Sequence, residues 1–550
     1  MHGLHQVRPR DPSDPIIPKG SAALKEGLVR AWAYALALLV LAFPLFNPDV
    51  YWQLSAGRWI WAHHAVPRVD VLSFTRAGTP WIDFEWLTQA VWYAVERTYG
   101  LWGLWALKAG LLAAAFLSVD GLLRDKGATR LARAAAAALW SGAALGVADL
   151  RADLPTLLLF GVLLRRLEAG RASFLFGFCA FALWGNLHAG LAAGFALYAI
   201  YWTAARARAR PAAPIFGEAL GAFLGAALNP YGYGVFRVFL AHASAASATN
   251  LVMEWQSPSW RHPFQIPLLM ALVVVAAAAV ADRRGRRRAS PALLAATALF
   301  GAAAVASARF GGLFATAGTA LAFAAFPAPA LAPVALGLLA LTPAIPIFAQ
   351  RWRYPFHDNY VARRAVEFVA REEPVLGKLR LFNQYEWGGF LGWRMGEGYP
   401  VFGDGRYLFA DQLSDIAEAL TAPEKFADFA ASRRLDGFLI ADYPATTVRS
   451  IAGEGGEVRP LARPWYVESL PRERWALVYW DDQALVFVDR ARVPAAWLAA
   501  HEYRWLHPKD DDAALAAARA RGWIDEAALA REKPRHEAEV AELAAALSGR

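Results

Sequence analysis

Cysteine is almost missing. Cys179 is the single one in 550 residues, and it lies inside an apolar run. That excludes an intrachain disulfide framework and a cysteine-based zinc site. There is no P-loop, no G-x-S-x-G with a plausible triad, no HExxH and no kinase signature. ATP-driven transport and the common hydrolase chemistries therefore lose support. No fixed-period repeat stands out. Residues 1–27 have no apolar core. They are polar, carry Pro, and are expected to form a disordered cytoplasmic tail, not a cleavable signal. Charge is sparse, at 19% of residues.

What fills the chain is apolar. Hydrophobic residues make up 57%, against about 45–50% in soluble domains even when Gly is counted. The excess lies before residue 350, where Ala/Leu/Val/Phe runs alternate with Arg-rich breaks. This is the pattern of a polytopic α-helical membrane protein. After residue 350 the texture becomes that of a soluble domain of about 200 residues. The net charge of +9 would suggest nucleic acid in a soluble chain. Here the Arg residues sit in short loops, so topology explains them and no nucleic-acid partner is expected.

A spanning helix needs roughly 20 apolar residues. Spans are expected near 28–46, 101–123, 132–149, 155–170, 172–187, 189–205, 214–229, 264–282, 291–308, 310–327 and 331–349, about eleven in all. The basic breaks (Arg8 to Arg30, Arg124 to Arg133, Arg165 to Arg171, Arg206 to Arg210, Arg283 to Arg288) fall in every second loop, which places them in the cytoplasm. An odd number of spans puts the N-terminus inside and the C-terminal domain outside, in the periplasm of a bacterial inner membrane. The expected domains are a tail at 1–27, a membrane domain at 28–350 with a large first outer loop at 47–100, an α/β domain at 351–500, and a helical segment at 501–550.

The opposite loops have another character. They carry Asp49, Arg58, Asp70, Asp83 and Glu85; then Arg151 and Asp153; Asn186 and His188; Asn229, Tyr231 and Glu254; and Arg309. Such residues at the ends of apolar helices are costly unless paired or wet. Their gathering on one side suggests a shared polar cavity at the outer face. In the first outer loop, 50–61 reads as an amphipathic interfacial helix.

Asp49 follows the first span directly, in FNPDVYW. Pro48 discourages continuation of that helix, so the carboxylate can sit at the lip of a cavity. There it can deprotonate an acceptor, or cap the next helix. Asp49 and Glu85 are the expected catalytic residues. Asp70, Asp83 and Glu85 are each candidates for holding a second proton or a divalent cation, Mg or Mn. His63 and His64 lack metal-ligand spacing and suit a plain interfacial role. Arg58, Arg151, Arg309 and the intramembrane Lys108 are candidate phosphate clamps. In the C-terminal part, strands are expected at 379–383, 400–403, 437–441, 476–479 and 484–488, alternating with helices. A hairpin should join the last two across 481–483, and 510–549 should form two helices. A carbohydrate-contacting face with Asp404 and Arg406 competes there with simple turns packed by aromatics.

The strings NPDVYWQLSAGRWI, VPRVDVLSFTRAGTPWIDFEWL, WGNLHAG, LNPYG, EWQSPS, FNQYEWGGFLGWR and VFGDGR resemble a family of bacterial polytopic membrane proteins. The resemblance covers most of residues 40–490. The first part is similar, more distantly, to the C-type glycosyltransferase superfamily (GT-C), which includes protein O-mannosyltransferases, aminoarabinose transferases and the catalytic subunit of oligosaccharyltransferases. That resemblance implies a polyprenyl-phosphate-linked sugar as donor and a C-terminal extracytoplasmic domain, and it puts Asp49 at the catalytic acid position. The first-loop acids are scattered here, without a clear paired motif. The expected function is inverting transfer of a sugar from such a donor to an extracytoplasmic glycan, lipid or protein, with membrane lipids as the other partner. The alternatives are a non-catalytic assembly or scaffold protein and a transporter of lipid-linked substrates.

Overall fold

The computed structural model describes residues 42–238, 255–284, 289–325, 352–441, 446–452, 458–506 and most of 27–40 and 519–548. It is mostly helical, with a small mixed sheet near the C-terminus. In chain order the helices are α1 (Asp49–His63), α2 (Trp86–Asp125), α3 (Arg130–Ala144), α4 (Leu154–Glu168), α5 (Phe174–Leu187), α6 (Leu191–Ala207), α7 (Ala213–Ala226), α8 (Ile266–Arg284), α9 (Pro291–Ala306) and α10 (Gly311–Ala325). The expected span at 331–349 lies outside the described residues, as do Glu254 and 507–518.

Among the described residues, two helices are long and apolar enough to cross a membrane, Trp86–Asp125 and Pro263–Asp282. The other helices in the expected spans from α3 to α7, with α9 and α10, are 14 to 17 residues long. At 1.5 Å per residue these reach about 21–26 Å, short of a hydrocarbon core of about 30 Å. Helix α2 is really two. Gly100 breaks it with φ 62° and ψ −163°, a backbone that glycine adopts without steric cost. The break falls where the second span was expected to begin.

The loops sort themselves between two ends of the bundle. At one end the basic breaks meet acids. Lys126 pairs with Glu168 at 2.7 Å and Arg165 with Asp125 at 2.9 Å. Arg133 pairs with Asp120. At the other end the polar loops meet each other. Arg151 approaches Asp49 at 3.6 Å and His188 approaches Glu85 at 3.8 Å. The Tyr231 hydroxyl donates to the Pro67 carbonyl at 2.6 Å. The alternation read from charge thus appears as two separate clusters.

The first loop and the C-terminal domain are joined. Helix α1 is not the expected interfacial helix. Its first two turns are buried all round, from Val50 to Gly57, between α2 and the short helix α12 (Gly388–Met395), which follows α11 (Arg363–Arg371). Two glycines explain the fit. A Cβ on Gly389 would come within 2.9 Å of the Trp52 nitrogen, and one on Gly57 within 2.2 Å of the Gln89 carbonyl oxygen. The segment 400–403 is not a strand of the sheet. Val401 instead bridges Ser73 of the first loop in parallel, because the loop chain offers it Leu72 O and Phe74 N at 3.0 Å each. Leu45 bridges Phe356 in the same way.

The sheet has the order β1 (Leu381–Asn383), β2 (Gly437–Ala441), β6 (Ala484–Asp489), β5 (Trp475–Trp480). The first pair is parallel and the others are antiparallel. Strands β5 and β6 form the expected hairpin, and Asp481 closes its turn by accepting from the Gln483 and Ala484 amides at 2.8 and 2.9 Å. Strands β3 (Thr446–Ala452) and β4 (Val458–Pro464) form a separate hairpin that alternation did not reveal. Helices α13 (Ala410–Ala419) and α14 (Pro423–Ser432) lie between β1 and β2. The last described helix is α15 (Glu526–Ser548).

Candidate functional site

Asp49 lies in the first turn of α1, one residue past the N-cap Pro48. Its amide donates to Asn47 Oδ1 at 2.9 Å, and its Oδ1 accepts the Trp52 indole N–H at 3.2 Å. Its Oδ2 is 3.6 Å from Arg151 Nη2, and the side chain keeps 29% of its exposure. The helix N-terminus further favours its charge. The turn before it is clamped from both sides. Asp149 Oδ2 accepts the Phe46 and Asn47 amides at 2.9 and 2.6 Å. Lys108 Nζ donates to the carbonyls of Phe43 and Pro44. On the far side, Gly405 lies against the carboxylate, since a Cβ there would sit 1.9 Å from Asp49 Oδ1.

Below this rim lies a buried polar cluster. Glu85 Oε2 accepts Gln53 Nε2 at 3.0 Å, and Asp83 Oδ1 accepts Gln89 Nε2 at 2.7 Å. These four side chains are all at least nine-tenths buried. Burial, foremost, pushes Asp83 up to about 7 and Glu85 up to about 8. Asp83 and Asp49 push Glu85 the same way, while Gln53 and Arg309 oppose it. The acids scattered along the first loop thus include a coupled pair.

His188 joins this cluster through a defined tautomer. The Trp184 indole donates to Thr156 Oγ1 at 2.8 Å, which leaves the Thr156 hydroxyl free to donate to His188 Nδ1 at 3.0 Å. The Gly190 amide also donates to Nδ1, at 3.0 Å. A nitrogen that accepts carries no proton, so the neutral ring carries it on Nε2, facing Glu85. Gly190 is needed for this approach, because a Cβ there would lie 2.5 Å from Thr156 Oγ1. Arg309 stacks on Trp255 at 4.7 Å and lies within electrostatic range of Glu85.

Several expected ligand residues do structural work instead. Lys108 has no exposure and holds carbonyls, so it offers nothing to a lipid phosphate. Arg58 donates to the Gly392 and Trp393 carbonyls at 3.2 and 3.3 Å, capping α12. Asp70, Asp404 and Arg406 form a buried ion triad. Arg406 donates to Asp70 at 2.6 Å and to both Asp404 oxygens at 2.8 and 2.9 Å. Burial pulls the Arg406 guanidinium down, but the two carboxylates more than reverse this. The triad and the stack of Arg406 on Trp81 leave Asp404 and Arg406 buried. Asn186 spends its amide on Trp86, Ala182 and Leu228. Asn229 builds its own turn, accepting from the Tyr231 amide at 2.8 Å. Asp153 stands at the N-cap position of α4, where its side chain makes no capping bond to the helix.

Four residues of the site carry little sequence signal. Gln53, Gln89 and Thr156 look like ordinary polar positions in helices. Asp149 closes an apolar run as Asp153 does, and only the turn it holds tells them apart. No three His, Cys, Asp or Glu side chains among the described residues converge as a metal-holding group. His63 stacks on Trp59 at 4.3 Å and lies 3.6 Å from Glu397. Compared with models of known protein families and with curated proteins, the chain matches none.

Proposed function

We propose that the protein is a membrane glycosyltransferase of GT-C type, taking a sugar from a polyprenyl-phosphate-linked donor to an extracytoplasmic acceptor. The observation that carries this reading is Asp49. It is a partly exposed carboxylate, held rigidly at a helix N-terminus, 3.6 Å from Arg151, at the end of the bundle where the polar loops meet. A base beside a cation suits an acceptor next to a leaving phosphate. In this reaction the acceptor oxygen bonds to the anomeric carbon and gives its proton to Asp49. The bond from that carbon to the phosphate oxygen breaks with inversion. The electron pair leaves with the polyprenyl phosphate, which gains one negative charge. Arg151 and Arg309 stand on the same face to stabilise that charge, a large term in a dry site.

The apolar excess, the two long apolar helices and the clustering of basic breaks opposite the polar loops support a membrane protein, and we propose that it is polytopic, with about eleven spans. The polar end would face out, carrying the C-terminal domain with it. The test is turnover of polyprenyl-phosphate hexoses to free polyprenyl phosphate. Asp49→Asn should cut it by about 10²–10⁴-fold without loss of thermal stability. Wild-type turnover in that variant would remove Asp49 as the base, and no turnover in the wild type itself would point to the scaffold alternative.

A further inference from the structure

The cluster beneath Asp49 has too few hydrogen-bond donors. With both carboxylates ionised, Gln53 Oε1, Asp83 Oδ2 and Gln89 Oε1 are buried with no partner. Each glutamine has already turned its amide nitrogen toward a carboxylate. Flipping either amide would set oxygen against oxygen and deepen the deficit. Buried polar atoms are nearly always satisfied. A proton on a carboxyl group turns an acceptor into a donor, which is what these oxygens lack.

We propose that Asp83, Glu85, Gln53 and Gln89 form a buried proton-binding site between α1 and α2 that is occupied at neutral pH. The inference stands whether or not the chain transfers sugars. The groups around the site agree with it. Asp49 adds a negative charge from α1. Arg309 adds a positive one. Arg406 reaches Asp83 but is already claimed by Asp70 and Asp404. Tyr231 and Tyr407 stay neutral, because burial raises both phenols. Two adjacent carboxylates thus share little compensating charge, and like charges in one cavity do not ionise together. The raised values for Asp83 and Glu85 follow from this arrangement. His188 Nε2–H faces Glu85 from 3.8 Å as a donor, so the neutral ring adds no charge to the site and does not take the proton from Glu85. Release of the bound proton would add a negative charge near Arg309, so anions would be held less tightly at alkaline pH.

The test is infrared spectroscopy of the full chain in detergent. The wild type should show the carbonyl band of a protonated carboxylic acid at a pH of about 6, fading as the pH rises through about 8. Glu85→Gln and Asp83→Asn should each remove most of the pH-dependent part, leaving any band from other buried acids such as Asp149. Carbon-13 labelling of aspartate or of glutamate in the wild type assigns the band even where a variant fails to fold. Absence of a pH-dependent band in the wild type would overturn the proposal. So would a band that both variants leave unchanged, or one that shifts with neither label.

Discussion

At Asp49, replacing one oxygen by an amide nitrogen removes a base and keeps the shape. The same kind of substitution at Glu85 predicts a gain in stability. An acid whose pKa is raised by folding binds more protons folded than unfolded. Between its ordinary value and its raised one, stability therefore falls as pH rises. For Asp83, raised to about 7, and Glu85, raised to about 8, the loss runs from the ordinary carboxylate range up to those values. Glu85→Gln should thus stabilise the protein at a pH of about 8 and flatten the decline, as read by thermal melts across pH. A steeper decline would contradict the account. Asp49 was legible because Pro48 and the end of an apolar run single it out. Arg406 was not, because its partner Asp70 is 336 residues away in the chain. Nothing in GDGR says that the arginine faces inward. Lys108 misled for a related reason. An intramembrane lysine reads as a ligand, but its actual partners are the Phe43 and Pro44 carbonyls.

Among the elements, the short glycine turn at 403–405 sets how close the C-terminal domain stands to α1. Gly405→Ala would drive a methyl group into Asp49, given the 1.9 Å approach. Overpacking of this kind costs about 1–3 kcal/mol, and a base displaced by an ångström costs about 10²-fold in turnover. Gly392→Ala meets only Val401 Cγ1 at 3.2 Å and should be much milder in both respects. Equal effects from the two would remove the turn from the account. Helices and the terminal hairpin were legible from periodicity. The strand expected at 400–403 was not placed correctly, because an extended segment does not announce its partner. Val401 found Ser73 of the first loop instead of the sheet. Interfacial character was misread in α1 for the same reason. Its aromatics fit a membrane surface and a protein interface equally well.

For the whole molecule, the ion triad is the main polar fastening between the first loop and the C-terminal domain. Arg406 is 2% exposed, and its removal strands two buried carboxylates. Breaking such a network costs about 3–5 kcal/mol. Arg406→Met should lower the melting temperature and raise amide hydrogen exchange across 68–80 and 400–407. Unchanged exchange there would show that main-chain bridges alone hold the domain. The alternation of basic and polar loops was legible at this scale, because charge bias acts loop by loop. The lengths of the helices were not. Runs of Ala and Leu continue past the helix ends into turns such as Leu145–Val147, so apolar length overstates helical length.

The most direct test of the central claim is lipid capture, read by native mass spectrometry of the full chain in detergent with added polyprenyl monophosphate. The wild type should retain it. Arg151→Gln and Arg309→Gln should each weaken retention by about tenfold or more, in keeping with loss of a charge-assisted contact. Arg206→Gln, at the opposite end of the bundle, should leave it unchanged. Retention of ordinary phospholipids alone, or equal retention in all of these variants, would contradict a phosphate site beside Asp49.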